Sequence, residues 1–188
     1  MPLNFANLRS RIVRTKAATI ADAYEMEFSS GAWGFGATGV AVVAGTANRI
    51  LITAGGWADQ KITSVLSSTT AAGSESLGVY LRFQTNEAGY ATYYYARQVL
   101  GVFRIQKVVN GTFSSLISGS FTWTASTDHT FTFQAVGSAL SASINNGSTS
   151  LSLSVTDSAL GQYGGFGFRS GPTNSTQIAC RNWQVEEV

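Results

Sequence analysis

Apolar and polar residues alternate with a period of two along most of the chain after Ala21. An extended strand places successive side chains on opposite faces, so this period is typical of strands with one buried face. The alternation appears in seven segments: "DAYEMEF", "GVYLRFQ", "VLGVFRIQKVV", "TFTFQAV", "ALSASI", "SLSLSV" and "GGFGFRS". Short strands spaced about 8 to 12 residues apart predict an all-β fold, a two-sheet antiparallel β-sandwich.

Two Asn-Gly pairs lie between these alternating segments, Asn110–Gly111 in "VVNGTF" and Asn146–Gly147 in "INNGST". A two-residue type I′ hairpin needs positive φ at both central residues, which Asn and Gly tolerate best. We therefore expect a β-hairpin turn at each pair.

The segment "GYATYYYARQ" carries several tyrosines on neighbouring positions. On a strand, Tyr93, Tyr95 and Arg97 share one face and Tyr94 lies on the other. One row must face the second sheet and the other must face outward. The sequence leaves open which row is which, although the charge of Arg97 favours Tyr93 and Tyr95 as the outward set.

The preceding strand adds Tyr80 and Arg82 to the outward row if the two strands pair. Flat aromatic rings flanked by guanidinium groups suit a saccharide, whose ring faces stack on aromatics and whose hydroxyls accept planar hydrogen bonds. The alternative is purely structural, because cross-strand aromatic pairs also stabilise sheets that bind no ligand.

The composition limits the function classes. A chain of 188 residues is comfortable for one domain. The net charge of +2 does not indicate a nucleic-acid partner. The single cysteine, Cys180, cannot form an intrachain disulfide. With the single histidine, His129, it cannot build a tetrahedral zinc site unless carboxylates supply the other ligands, and no ligand spacing supports that. We expect no metal and no cofactor, and we expect His129, in the turn "STDHT", to be exposed to solvent.

Residues 1–20 differ from the rest of the chain, and we predict that the sandwich spans 21–188. Phe5, Leu8 and Ile12 recur at helical spacing, which predicts an amphipathic helix or a basic arm, with a solvated tail as the alternative. The candidate anchor residues are Arg9, Arg11, Arg14 and Lys16. No signal peptide and no membrane-spanning segment is indicated.

From Leu77 to Phe168 the order of motifs resembles the concanavalin A-like lectin and glucanase jelly rolls, in particular the laminin-G-like and phage versions. The resemblance rests on "GVYLRFQTNEAGYATYYYARQ", "FRIQKVVNGTFSSLISG", "HTFTFQAVGSALSASINNG", "VTDSALGQYGGFGF" and the closing "CRNWQVEEV". It implies ligand contacts on the concave face or in rim loops. The implied glycan-binding candidates are Trp33, Trp57, Tyr80, Arg82, Tyr93, Tyr95 and Arg97.

The glycines around Trp33 and Trp57 predict that both indoles lie at loop tips, with plugs at the ends of the sandwich as the alternative. The glucanases of this fold use a Glu-x-Asp-x-x-Glu strand, which this chain lacks. Glu25 and Glu27 share a strand face without a third carboxylate, so solvated charges are favoured over a catalytic pair. We therefore expect a protein that is not an enzyme.

The resemblance favours a structural protein on the surface of a tailed-phage virion, such as a capsid decoration, knob or fibre protein. Such a protein would be made in the host cytoplasm, form a homo-oligomer, dock on other virion proteins through its N-terminal segment and contact host-surface polysaccharide. The alternatives are a cellular carbohydrate-binding module or lectin, or a glycoside hydrolase with an unrecognised acid pair.

Overall fold

The computed structural model describes residues 17–19, 26–28, 32–36, 39–44, 49–52, 57–68, 77–85, 90–161, 163–170 and 178–188. Side chains are described within 57–68, 77–84, 90–161, 163–167 and 184–188. The described residues form fifteen strands. In chain order these are β1 (Ala17–Thr19), β2 (Met26–Phe28), β3 (Ala32–Gly36), β4 (Gly39–Ala44), β5 (Arg49–Ile52), β6 (Gln60–Ser68), β7 (Leu77–Thr85), β8 (Ala91–Val99), β9 (Val102–Val109), β10 (Thr112–Ser120), β11 (His129–Val136), β12 (Ala139–Asn145), β13 (Ser150–Thr156), β14 (Gly165–Ser170) and β15 (Ile178–Glu187).

The strands build two antiparallel sheets. Within the described ranges, the eight-stranded sheet has the order β13-β12-β11-β6-β15-β4-β3, with β1 also paired to β15. The seven-stranded sheet has the order β10-β9-β8-β7-β14-β5-β2. Each of the seven alternating segments overlaps one of these strands, so the predicted two-sheet antiparallel sandwich is confirmed. No helix in this part of the chain is long and apolar enough to cross a membrane.

The main hydrophobic core lies between the two sheets. Its members alternate with exposed or half-buried residues along β11 and β12, as the period of two predicts. Phe103 of the seven-stranded sheet meets Phe131 of the eight-stranded sheet edge to face, with ring centroids 5.8 Å apart. Burial of apolar surface on this scale is the main favourable term in folding, at roughly 25 cal/mol per Å².

Of the two predicted Asn-Gly hairpins, one has the expected geometry. Asn110 and Gly111 have φ of 50° and 78° and join β9 to β10 in a two-residue turn. Asn146 does not adopt positive φ, and a four-residue loop joins β12 to β13. The Asn146 Oδ1 accepts hydrogen bonds from the Ser148 and Thr149 N–H groups at 3.0 Å and 2.8 Å, so an Asx-type turn replaces the predicted tight hairpin there.

The predicted N-terminal segment is described only at β1. Ala17–Thr19 pair with β15 in the eight-stranded sheet, so these three residues are part of the sandwich. The anchor candidates Arg9, Arg11, Arg14 and Lys16 lie outside the described residues.

The prediction that His129 is exposed to solvent is wrong. His129 begins β11 and is fully buried, with its ring stacked on Trp123 at a centroid distance of 3.7 Å. The Thr124 N–H donates to Nε2 over 3.4 Å, while Nδ1 lies 2.9 Å from the Thr127 carbonyl oxygen. Burial lowers the pKa of His129, which agrees with a neutral ring that accepts at Nε2.

Candidate functional site

The seven-stranded sheet has a second face, opposite to the main core, which we call the outer face. In register, Tyr80 pairs with Tyr95, which pairs with Gln106. In parallel rows, Tyr93 pairs with Val108, and Arg97 pairs with Arg104. Tyr94 and Ala96 alternate with these residues and belong to the main core. The alternation predicted for "YYYAR" is therefore confirmed, and Tyr80, Tyr93, Tyr95 and Arg97 lie together on one face.

The tyrosines of the outer face form a packed group, which we call the tyrosine cluster: Tyr80, Phe83, Tyr93, Tyr95 and Val108. The ring centroids of Tyr80 and Tyr93 are 5.3 Å apart, and those of Tyr93 and Tyr95 are 6.0 Å apart. Tyr93 is only 1% exposed, and Tyr80 and Tyr95 are fully buried. The expectation that this row is open to water is therefore wrong, because these rings pack in a second hydrophobic cluster.

Among the described side chains of the outer face, the accessible groups lie towards the β10 edge of the sheet. We call this region the basic edge: Arg97, Arg104 and Phe113, together with Gln106, which is almost completely buried. Arg97 and Arg104 are half-buried and Phe113 is 39% exposed. The Arg97 guanidinium carbon lies 5.8 Å from the Tyr95 ring centroid and 5.3 Å from that of Phe113, within the range of cation–π attraction.

Arg82 does not join this face, contrary to the prediction. A register shift between Leu81 and Gln84 marks a β-bulge, and Arg82 adopts a φ of 55° there. The side chain therefore turns towards the eight-stranded sheet, where Nη2 donates to the Ala58 carbonyl oxygen over 3.0 Å and lies 3.8 Å from Asp59 Oδ1. Burial lowers the pKa of Arg82, and the nearby carboxylate of Asp59 opposes that shift.

Contacts from distant segments hold the bulge. The buried Gln60 accepts a hydrogen bond from the Arg82 N–H at 3.2 Å and donates to the carbonyl oxygens of Trp57 and Gly164 at 2.9 Å and 2.7 Å. A Cβ at Gly164 would lie 2.5 Å from the carbonyl carbon of Arg82. The backbones approach so closely that only glycine fits, and the same bulge turns Phe83 into the tyrosine cluster.

Neither tryptophan lies at an exposed loop tip. Trp33 is in β3, within the eight-stranded sheet, and pairs with Val42; its side chain lies outside the described side chains. Trp57 is 7% exposed and stacks on Phe166, with ring centroids 6.1 Å apart and planes 10° apart. Trp57 thus belongs to the main core, and the prediction of an exposed loop indole is wrong for this residue. Trp33 lies in a strand and not in the predicted loop.

Tyr94 of β8 faces the main core, and a polar network holds its hydroxyl group. Its hydroxyl donates to Asp157 Oδ1 over 2.7 Å, and Lys107 Nζ donates to Asp157 Oδ2 over 2.7 Å. Burial, together with the bond to Asp157, raises the pKa of Tyr94 to about 12. Burial alone would raise the pKa of Asp157, but the hydrogen bonds from Lys107, Tyr94 and the Ala159 N–H outweigh it and lower that pKa. The network joins the turn after β13 to the seven-stranded sheet.

The carboxylates considered for catalysis fall mostly outside the described part of the chain. Glu27 lies in β2, where its backbone pairs with Leu51, while Glu25 lies outside the described residues. Across the described side chains, no group of three or more His, Cys, Asp or Glu residues is placed to hold a metal ion.

Four residues of this face were not among those predicted from the sequence: Phe83, Arg104, Gln106 and Phe113. The alternation in "FRIQKVV" contained the signal for two of them, because Arg104 and Gln106 interleave with the core residues Phe103 and Ile105. Unbroken alternation in "GVYLRFQ" would place Phe83 on the core face with Val79 and Leu81, but the bulge at Arg82 moves it to the outer face. Phe113 follows the Asn110–Gly111 turn and pairs with Val108.

No protein-family model matches the chain, and no curated protein matches it by sequence. Solved structures do match. The carbohydrate-binding module CBM66 from Bacillus subtilis has a TM-score of 0.68 at 16% identity, covering 86% of this chain and 94% of that one. Lectin I from Ulex europaeus, in complex with the methyl glycoside of α-L-fucose, has a TM-score of 0.63 at 12% identity, covering 91% and 98%. The exoplasmic domain of VIP36, in its Ca²⁺/Man3GlcNAc-bound form, has a TM-score of 0.65 at 10% identity, covering 93% and 89%.

These likenesses extend over most of both chains in each case. At such low identities they show the fold alone. The protein has the jelly-roll sandwich fold of these lectins and modules, which confirms the concanavalin A-like fold predicted from the sequence.

Proposed function

We propose that the protein is a non-catalytic carbohydrate-binding protein whose glycan contacts lie on the basic edge of the outer face. The observation that carries the proposal is the array of Tyr95, Arg97 and Phe113, in which one guanidinium group approaches two aromatic rings, with its carbon 5.8 Å and 5.3 Å from their centroids. The array joins an apolar platform to planar hydrogen-bond donors, the two features by which proteins recognise sugars.

Each part of the basic edge has a role in this proposal. The exposed face of Phe113 takes the apolar side of a sugar ring. Arg97 and Arg104 donate hydrogen bonds to ring and hydroxyl oxygens, and the exposed Ser115 lies beside Gln106 in register. The tyrosine cluster beneath them supports these side chains as a rigid base, because its rings are packed against one another.

The comparisons support the same class of ligand. One of the similar structures is named a carbohydrate-binding module, and two others were solved with a fucose glycoside or a mannose-containing glycan. This favours the carbohydrate-binding module or lectin predicted from the sequence as the alternative. A virion location, docking through the N-terminal segment and homo-oligomerisation stay predictions from the resemblance, and mass spectrometry of purified particles tests the first of them.

A glycan array probed with the purified protein, followed by titration calorimetry on the best ligand, tests the proposal. We expect Phe113→Ala to weaken binding about tenfold or more, because truncating an aromatic anchor removes a stacking surface that costs about 1 to 3 kcal/mol. Tyr163→Ala is the matched control, since Tyr163 is 61% exposed in the loop before β14. An array without any bound glycan, or equal losses in the two variants, would contradict the proposed site.

A further inference from the structure

The geometry points to an acidic glycan, one that carries carboxylate or sulfate groups, as the ligand of the basic edge; this inference rests on the proposed function and specifies its substrate class. Arg97 and Arg104 lie directly opposite each other on neighbouring strands of the outer face. Like charges directly opposite each other are unfavourable in a sheet. An anionic group of a ligand beside Arg104, whose Nε has no hydrogen-bond partner, would reduce that repulsion.

The charge of the surrounding strands supports an anionic ligand. Strands β7 to β10 contain four cationic residues and no aspartate or glutamate. Two of the four, Arg82 and Lys107, point towards the core side, where they contact Asp59 and Asp157. The other two cations, Arg97 and Arg104, are thus concentrated on the outer face of strands that supply no carboxylate.

Two buried polar atoms of the basic edge lack hydrogen-bond partners. These are the Nε of Arg104 and the Oε1 of Gln106, and the Gln106 side chain is almost completely buried. A buried donor without an acceptor is costly. The Nε–H of an arginine is best satisfied by a carboxylate or sulfate that accepts two parallel hydrogen bonds from the guanidinium group. A sugar hydroxyl next to that anionic group would donate to the Gln106 oxygen.

The position of Phe113 completes the recognition surface. The Arg97 guanidinium carbon lies 5.3 Å from the centroid of the Phe113 ring, and that exposed ring is also the proposed stacking surface. An acidic sugar seated on Phe113 would therefore present its charged group towards the two arginines.

Matched pairs of oligosaccharides test this inference by titration with the full chain. One pair is oligogalacturonate and its methyl ester, and the other is a sulfated galactan oligosaccharide and its desulfated form. We expect the acidic member of at least one pair to bind about tenfold or more tighter than its neutral partner, with affinity falling as salt rises. The pair that responds identifies the source of the charge as carboxylate or sulfate.

Three variants distinguish specific binding at the basic edge from nonspecific attraction to the protein's positive charge. Arg104→Gln removes the charge and should abolish the preference for the acidic member. Arg104→Lys keeps the charge but lacks the planar guanidinium group, so it should retain only part of that preference. Lys61→Gln removes one positive charge from the eight-stranded sheet and should leave the preference intact. Circular dichroism and the melting temperature of each variant verify that it is folded.

The outcomes distinguish this inference from the proposed function. Equal binding of acidic and neutral members would overturn the acidic-glycan inference and leave glycan binding standing. Equal losses in Lys61→Gln and Arg104→Gln would also overturn it, because net charge alone would then explain the preference. Absence of binding to both members of each pair, together with an empty glycan array, would overturn both.

Discussion

The two faces of the seven-stranded sheet carry similar residues and hold them in different ways. On the core face, Tyr94 lies among aliphatic and aromatic side chains, and its hydroxyl is tied to Asp157. On the outer face, Tyr93 and Tyr95 pack in a cluster of aromatic rings. All three tyrosines are buried, although successive ones point in opposite directions.

This difference between the two faces shows that the direction of a side chain and its exposure to solvent are separate properties. Alternation along an extended backbone assigns each residue to a face, and it does so reliably in β8. Whether that face meets water depends on what packs against it. Among the described side chains of the outer face, the transition from buried rings to accessible groups falls between the tyrosine cluster and the basic edge, and the proposed function places the ligand at the basic edge.

The largest expected effect tests whether the outer cluster is as well packed as the core. Phe103→Ala, on the core face, should lower the free energy of unfolding by about 3 to 5 kcal/mol, because it leaves a cavity in a fully buried site. Tyr93→Ala, on the outer face, should lower it by a similar amount. Chemical denaturation of both variants measures the two losses. A loss below about 1 kcal/mol for Tyr93→Ala alone would show that the outer cluster adds little to stability.

An intermediate effect is expected at the bulge, where the alternation of faces is broken. Gly164→Ala should destabilise the fold by about 1 to 3 kcal/mol, because the new methyl group would overlap the backbone of Arg82 and Phe83. Gly161→Ala is the control, since its nearest contact, Gln84 Nε2 at 3.4 Å, is an ordinary one. Thermal unfolding of the two variants makes the comparison, and equal melting temperatures would contradict the close approach at Gly164.

The smallest expected effect concerns the hydroxyl group of Tyr94. Tyr94→Phe should cost about 1 kcal/mol at neutral pH, because it removes the hydrogen bond to Asp157. The pKa of Tyr94 is raised to about 12 in the folded protein, against 10.0 as its ordinary value, so the unfolded chain loses this proton first. The contribution of Tyr94 to stability is therefore complete below about pH 10 and is lost as the pH rises towards 12.

Denaturant titrations between pH 9 and pH 12 would measure this difference. The parent protein should lose stability more steeply than Tyr94→Phe over that range. Tyr163→Phe, at an exposed position, should follow the parent curve. Parallel curves for the parent and Tyr94→Phe would mean that the network around Asp157 does not hold the tyrosine proton.

The amino-acid sequence alone determined the class of fold, the Asn110–Gly111 hairpin and the division of the tyrosines in β8 between two faces. These features follow from local rules, since backbone period and turn conformation depend on residues close together in the chain. Four of the predicted glycan-binding residues share the outer face for the same reason.

Only the tertiary structure decided the burial of the tyrosine cluster, the strand position of Trp33 and the inward turn of Arg82. Arginine has no intrinsic preference for a positive φ, so nothing in "YLRFQ" marks a bulge. Gln60 and Gly164, both distant in sequence, hold that conformation through contacts that exist only after the sheets have packed. Burial and bulges depend on such long-range contacts, and these contacts cannot be predicted from local patterns of residues.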